Sequence, residues 1–297
     1  MRTWRNVVLP VGLILLLAAV PAQAQDRISV VATFSILGDF VKNVGGDGVE
    51  VTTLVGPNGD VHVYSPAPGD AKRIAAARAV FVNGLGLEGW IGRLIKASGS
   101  KAPVVIVSRG VKPRNVVDGD SAAIDPHAWQ NVANAKIYVA NIRDGLDAID
   151  PAGKAKYDAN AAAYLGDLDA LDEEVRAAVA KIPTERRELI TTHDAFGYFG
   201  DAYGIDFIAP EGVSTEAEPS AKDMAKIITQ IRRQKIPAVF MENITDPRLM
   251  RQIARETAAK IGGTLYSDAL SEPNGPAGSY IDMMRHNVRE FSKALMT

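Results

Sequence analysis

The sequence has 297 residues, with 33 lysines and arginines against 35 aspartates and glutamates, no cysteine and four histidines. Without cysteine the chain can form no disulfide, no thiolate nucleophile and no cysteine-ligated metal site. The net charge of −2 shows no excess of basic residues of the kind that binds nucleic acid, so we expect no nucleic-acid partner. Any metal site must therefore be built from histidine, aspartate and glutamate side chains.

Residues 1–24 are predicted to be a cleavable secretory signal. Arg2 and Arg5 precede the apolar stretch Val7–Val20, which is too short to span a bilayer, and a small-residue cleavage pattern ends at Ala24. Cleavage after Ala24 predicts a periplasmic protein. No cysteine lies beside the predicted cleavage site, so we expect no lipid anchor.

The rest of the sequence alternates strand and helix patterns in two series, the second beginning after residue 184. Each series has four short β-rich runs, mostly separated by helical patterns, which is typical of a parallel α/β layer. We therefore expect an α/β fold of two lobes, each with a four-stranded, mainly parallel sheet and flanking helices. The predicted strands are Ile28–Phe34, Val49–Val55, Ala79–Val82 and Val104–Val107, then Leu189–Thr192, Asp206–Ala209, Ala238–Met241 and Thr264–Tyr266.

A long helix is predicted between the two series. Apolar residues recur every three or four positions from Tyr157 to Ile182, Pro151 suits the first turn of a helix, and Pro183 marks its end. Such a helix would be a rigid connection between the lobes. The expected organisation is a signal peptide over 1–24, an N-terminal lobe over 25–150, the connecting helix over 151–183 and a C-terminal lobe over 184–297.

Four polar residues follow predicted strands, two in each lobe, at the place where open α/β sheets bind ligands. If the carboxyl edges of the two sheets face each other, these side chains can converge. Three imidazoles and one carboxylate suit Zn²⁺ or Mn²⁺ better than Ca²⁺ or Mg²⁺, which prefer mostly oxygen. The candidate metal ligands are His62, His127, His193 and Asp268, whereas His286, in the predicted last helix, is interpreted as an ordinary helix residue.

The segments that carry these residues resemble the zinc/manganese-type periplasmic substrate-binding proteins of metal ABC transporters, the cluster A-I solute-binding family. The resemblance covers essentially the whole mature chain and places the four candidates on the family's ligand positions. It implies two α/β lobes bridged by one rigid helix, a buried metal between them, no catalytic residues, and a membrane permease with its ATPase as partners. The segments are GDVHVYSPAPGD (59–70), DPHAWQN (125–131), THDAFGYFGDAYGI (192–205) and LYSDALSEPNGPAGSYIDMM (265–284).

The resemblance also bears on the choice of metal. Members selective for manganese usually have a glutamate at the third ligand position, where this chain has His193, so the resemblance favours Zn²⁺ as the transported ligand. Mn²⁺ stays open, because some relatives with three histidines and one aspartate take manganese. Many zinc members carry a histidine-rich loop before the second ligand, but the corresponding stretch, 109–124, has no histidine. We expect the protein to be a monomer.

Other polar and aromatic residues are secondary candidates. Asp194 and Glu242 could orient ligand imidazoles from behind, although a helix cap and a solvated turn explain them equally well. Trp129 and Tyr64 are expected to pack loops rather than to touch metal.

Three other functions fit parts of the sequence. Gly84–Gly89 has the GxGxxG spacing of a dinucleotide site, but it lies outside the first strand–helix unit, and a tight turn explains its glycines equally well. A secreted metallohydrolase could use the three histidines with Asp268 or Glu242 as a base, although no HExxH or GxSxG motif accompanies them. A polymer-binding adhesin would need an exposed aromatic surface, and aromatic residues make up only 6% of the chain.

Overall fold

The computed structural model of the chain describes residues 27–118, 121–217 and 219–296. The predicted signal peptide and its cleavage after Ala24 lie outside these residues. In the described part of the chain, no helix combines the length and the apolar character that crossing a bilayer requires.

The first half of the chain forms one parallel sheet with helices between its strands. Its β-branched runs become strands. The two central strands, Ile28–Phe34 and Val80–Val82, are largely buried, as parallel strands usually are, whereas Val104 and Ile106 of an edge strand are exposed. The elements are β1 (Ile28–Phe34), α1 (Ser35–Gly45), β2 (Val49–Val55), α2 (Pro68–Ala76), β3 (Val80–Val82), α3 (Ile91–Ser98) and β4 (Val104–Ile106). The strand order is β2-β1-β3-β4, and every neighbouring pair is parallel.

The second half repeats this arrangement. Its elements are β7 (Glu188–Ile190), α6 (Gly197–Tyr203), β8 (Asp206–Ile208), α7 (Ala221–Gln234), β9 (Ala238–Glu242), α8 (Arg248–Glu256), β10 (Lys260–Leu265) and α9 (Tyr280–Leu295). The strands form a second parallel sheet in the order β10-β9-β7-β8. The predicted fold class, two four-stranded parallel sheets with flanking helices, is confirmed.

The last strand begins earlier than predicted. The prediction placed it at Thr264–Tyr266, but β10 already starts at Lys260. Two glycines conceal the strand pattern, and the register with β9 shifts between Ile261 and Thr264. A Cβ atom at Gly262 would lie 2.4 Å from the ring of Phe240, so the close approach of these two strands requires glycine there.

The end of the first half, between β4 and the predicted long helix, contains two elements that the sequence did not indicate. The stretch that corresponds to the histidine-rich loop of zinc members contains an antiparallel hairpin of β5 (Arg114–Asp118) and β6 (Ser121–Asp125), with Arg114 opposite Asp125. Helix α4 (Val132–Ile149) comes next, and the Asn131 side chain caps it by accepting the N–H of Ala133 at 2.9 Å.

The predicted long helix is present as α5 (Lys154–Ala180), 27 residues and about 40 Å long. Its buried residues are the predicted apolar stripe, from Tyr157 to Val179. Helix α5 contacts α1 and α4 from the first half and α9 from the second. The Asn160 side chain donates to the Val44 carbonyl at 3.0 Å, and near the other end Arg285 pairs with Glu174 at 2.7 Å.

The hydrophobic core does not divide at the predicted lobe boundaries. The larger buried cluster runs from β1 through α5 to α9, and only a smaller cluster around α7 and α8 stands apart. The boundaries at 150 and 183 therefore stay a prediction. One continuous core holds the two sheets together, with the cleft between them.

Candidate metal site

Loops at the carboxyl ends of four strands bring four donor side chains to one place. His193 and Asp268 follow β7 and β10 by three residues each, and His62 lies in the loop after β2. His127 follows the hairpin strand β6 rather than a strand of the parallel sheet. One donor atom from each of the four lies within 4.8 Å of the others.

The carboxylate of Asp268 is the centre of this cluster. Its Oδ2 lies 3.0 Å from Nε2 of His62, 3.2 Å from Nε2 of His193 and 3.6 Å from Nε2 of His127. The Nε2 atoms of His62 and His127 are 3.2 Å apart. Three imidazole nitrogens thus point at one carboxylate oxygen.

The cluster is almost completely removed from solvent. His127, His193 and Asp268 are 0% exposed, and His62 is 8% exposed. In contrast, His286 lies apart from the cluster, where its Nε2 is 2.9 Å from the Thr264 carbonyl oxygen. The structure therefore brings together the four candidate ligands and leaves out the histidine that was predicted to be an ordinary helix residue.

His127 is oriented by a carboxylate that was not among the candidates from the sequence. Asp125 Oδ1 lies 2.8 Å from Nδ1 of His127 and also accepts the backbone N–H of His127 at 2.9 Å. Its Oδ2 is 3.2 Å from Nη1 of Arg114 across the hairpin. This contact fixes Nδ1 as the protonated nitrogen, so Nε2 is free to act as a ligand. The signal was the Asp-Pro-His order, which sets the carboxylate two residues before the imidazole.

Glu242, one of the two weaker candidates, does contact a ligand imidazole. Its Oε2 lies 2.6 Å from Nδ1 of His193, and its Oε1 accepts the backbone N–H groups of Thr192 and His193 at 2.8 and 3.0 Å. The short Oε2–Nδ1 contact is not aligned as a hydrogen bond, and it becomes an ion pair when His193 is protonated. For Asp194 the described structure shows no side-chain hydrogen bond to any of the four residues, and its backbone N–H donates to the Gly212 carbonyl.

The charges of the cluster reinforce one another. Burial by itself would lower the pKa of His127, but the carboxylates of Asp268 and Asp125 outweigh it and raise that pKa to about 9. Burial likewise opposes protonation of His193, yet Glu242 and Asp268 raise its pKa well above the ordinary value. In turn, the two imidazoles overcome the burial of Asp268 and hold its pKa well below the ordinary value. The same negative charge that favours protons on His127 and His193 would also favour a metal cation at this place.

The donor set fits a tetrahedral metal ion. Nitrogen and oxygen ligands at 2.0–2.1 Å from Zn²⁺ lie about 3.4 Å from one another in a tetrahedron. Four of the six pairs of donor atoms here are 3.0–3.6 Å apart, and all the donor atoms lie within 4.8 Å of one another. Among the described residues, the Oδ1 atom of buried Asp268 has no hydrogen-bond partner. An unsatisfied buried carboxylate oxygen is costly, and a cation beside it would remove that cost.

Three other sequence features have a structural role. In the GxGxxG turn, the carboxylate of Glu88 accepts the backbone N–H groups of Asn83 and Gly84 and the hydroxyl of Thr33. The turn is therefore held by an internal carboxylate, which gives it a structural role and does not favour a dinucleotide site there. Trp129 packs against His127, with ring centroids 5.3 Å apart, and the hydroxyl of Tyr64 donates to Asp70.

Comparison with known proteins places this chain in a family. The sequence model described as "ZnuA: Zinc-uptake complex component A periplasmic" matches residues 30–294, and the chain belongs to that family. The manganese-binding lipoprotein MntA of Halalkalibacterium halodurans is 36% identical over 91% of this chain and 89% of its own length. The iron-binding protein YfeA of Yersinia pestis is 34% identical over 92% of this chain and 88% of its own length.

Solved structures agree with this assignment. The periplasmic zinc binding protein TroA from Treponema pallidum superposes with a TM-score of 0.86 at 33% identity, covering 91% of this chain and 99% of that one. The proteins of this family are substrate-binding proteins of transporters, so the chain is a solute-binding protein and not an enzyme. The name of the manganese-binding relative includes "lipoprotein", in contrast to the expectation of no lipid anchor here, which stays a prediction.

Proposed function

We propose that this protein is a periplasmic receptor that binds one Zn²⁺ ion between its two halves and delivers it to a membrane permease driven by an ATPase. The ligands would be His62, His127, His193 and Asp268. The observation that carries this proposal is the buried cluster itself, in which three Nε2 atoms surround one carboxylate oxygen at 3.0–3.6 Å. A buried group of this kind without a bound cation would leave charged atoms crowded and unsatisfied.

The choice of Zn²⁺ rests on the ligand chemistry. Three imidazole nitrogens with one carboxylate oxygen suit Zn²⁺, and four protein ligands can complete its preferred tetrahedral shell. Manganese, iron and zinc appear in the names of relatives that resemble this chain about equally well, so their names do not separate the three metals. Mn²⁺, which takes oxygen ligands and water more readily, is the alternative cargo.

The second alternative from the sequence, a secreted metallohydrolase, is not favoured. Hydrolytic zinc sites usually keep one coordination position open for water, whereas this cluster supplies four buried donors. Glu242, which could have been the base, uses one oxygen on backbone N–H groups and turns the other to Nδ1 of His193. The carboxylate therefore serves a ligand rather than a substrate.

The test is a calorimetric titration of the metal-free protein with Zn²⁺. We expect one tight site, a loss of at least about 100-fold in affinity for His193→Ala, and an unchanged affinity for His286→Ala. His286 is the matched control, because it contacts the Thr264 carbonyl on another part of the same half. The proposal would be wrong if both variants lost the same affinity for Zn²⁺, or if the unaltered protein bound no Zn²⁺. Competition between Zn²⁺ and Mn²⁺ at the same site decides the cargo, and a preference for Mn²⁺ overturns only the choice of metal.

A further inference from the structure

A short segment of the second half links two of the four proposed ligands. It consists of residues 211–217, which we call the strap. At its beginning the strap is tied to the His193 loop, since Glu211 donates its N–H to the Thr192 carbonyl at 3.2 Å and the Gly212 carbonyl accepts the N–H of Asp194 at 3.0 Å. The strap therefore starts at the backbone of a ligand from the second half.

Further along, the strap reaches a ligand from the first half. The hydroxyl of Thr215 donates to Oδ2 of Asp60 at 2.6 Å. The other oxygen of the same carboxylate accepts the backbone N–H of His62 at 2.8 Å. Asp60 thus uses one oxygen on the ligand loop of its own half and the other on the strap of the opposite half. A hydroxyl-to-carboxylate hydrogen bond of this length belongs to the strong, charge-assisted kind.

The strap also forms one wall of the opening above the cluster. A cavity of about 580 Å³ is lined by His62, by the turn 85–89, by residues 124 and 126, and by Val213, Ser214 and Glu216 of the strap. His62 is the only one of the four ligands that lines this cavity, and the other three are fully buried. A cation that leaves through the cavity must therefore pass His62, which would be the last ligand to hold it.

We infer that Thr215 and Asp60 form a latch that holds His62 on the metal and slows metal release. Both are positioning residues, because neither side chain is among the four donors that converge. The inference rests on the proposed function, since it assumes that His62 is a metal ligand. The cavity gives a cation access to His62 with the latch closed, so loss of the latch should change the dissociation rate far more than the association rate.

The experiment compares the unaltered protein with Thr215→Val, which has nearly the same shape but no hydroxyl. Each protein is loaded with Zn²⁺, and the release of Zn²⁺ to an excess of a chromogenic chelator is followed by stopped flow. We expect Thr215→Val to release Zn²⁺ about tenfold faster, within the range that hydrogen bonds to charged groups contribute. The association rate should stay within about twofold, and Thr215→Ser, which keeps the hydroxyl, should restore slow release.

Two controls separate the latch from a general loss of structure. Thr229→Val removes a hydroxyl that donates to the Ala225 carbonyl within α7, away from the cluster, and it should leave the release rate unchanged. In an Asp60→Ala background, Thr215→Val should have no further effect, because the two side chains act as one unit. Equal release rates for Thr215→Val and Thr229→Val, or failure of serine to restore slow release, would overturn the latch. If the unaltered protein binds no Zn²⁺, the proposed function fails instead.

Discussion

The carboxylate of Glu242 holds His193 by two routes at once. One oxygen lies 2.6 Å from Nδ1 of the imidazole, and the other accepts the backbone N–H groups of Thr192 and His193. Glu242 is the last residue of β9, the strand beside β7, so the core of the sheet sets its position. The ring of His193 is thereby fixed with Nε2 towards Asp268 before any metal arrives.

This arrangement predicts that Glu242→Gln weakens metal binding without unfolding the protein. The amide oxygen can still accept the backbone N–H groups, but the negative charge that favours an Nδ1-protonated imidazole is lost. We expect the affinity for Zn²⁺, measured by calorimetry, to fall by about 10–100-fold. Glu173→Gln, at an exposed position on α5, is the control and should bind as the unaltered protein does. An affinity within twofold of the control would show that Glu242 does not act through His193.

A second prediction concerns pH. The carboxylates around His127 raise its pKa to about 9, so this imidazole carries a proton at pH 7 in the metal-free protein. The pKa of His193 is raised as well, by Glu242 and Asp268. Zn²⁺ requires neutral imidazoles and must displace the protons that they carry. The affinity should therefore rise with pH up to about 9, a higher range than the ordinary histidine pKa of about 6.5 suggests.

Calorimetry in buffers of different ionisation enthalpy checks this directly. At pH 7 we expect a net release of protons when Zn²⁺ binds, because His127 at least is protonated beforehand. Binding heats that are the same in all buffers would mean that the cluster holds no displaceable protons.

Metal removal should lower thermal stability. A ligand that binds only the folded state at 100 times its dissociation constant adds about 2.7 kcal/mol to the free energy of unfolding. For a chain of this size that corresponds to a rise in Tm of roughly 5–10 °C, which a chelator should reverse. His193→Ala should show no such rise at the same Zn²⁺ concentration. A similar rise in this variant would indicate that the metal stabilises the fold from some other place.

Much of the fold and the four converging side chains could be predicted from the sequence, for local reasons. The strands are short β-branched runs, and three of the four ligands, His62, His193 and Asp268, lie soon after one of them. The predicted stripe of α5 is its buried face because one helix face must meet the core. These features are periodic or lie at strand ends, so they can be recognised in the sequence without knowing which surfaces pack against them.

The features that the sequence did not predict depend on distant partners. Asp125 is an ordinary carboxylate until the hairpin sets it between Arg114 and His127. Thr215 and Asp60 are 155 positions apart, and no local pattern connects them. The larger apolar cluster, which runs through both halves, likewise results from the packing of α5 against helices of each half. Contacts of this kind follow from topology, which periodicity alone does not specify.

The junction of the two halves holds a carboxyl group whose ionisation should oppose folding at neutral pH. Burial raises the pKa of Asp39 to about 6, although the N–H of Tyr280 and the charge of Lys42 act against the shift. Between about pH 4 and pH 6 the folded state holds a proton that the unfolded state releases. Ionisation of Asp39 therefore lowers the free energy of unfolding, fully above pH 6 and not at all near pH 4.

The variant Asp39→Asn tests this, because it keeps an oxygen for the Tyr280 N–H but carries no charge. Urea unfolding of the metal-free protein should show a free energy of unfolding about 2 kcal/mol higher at pH 7 and unchanged at pH 4. Asp47→Asn is the matched control, because Lys156 lowers the pKa of that exposed carboxyl and its loss should bring no gain. An equal gain for Asp39→Asn at both pH values would show that the effect is not one of charge.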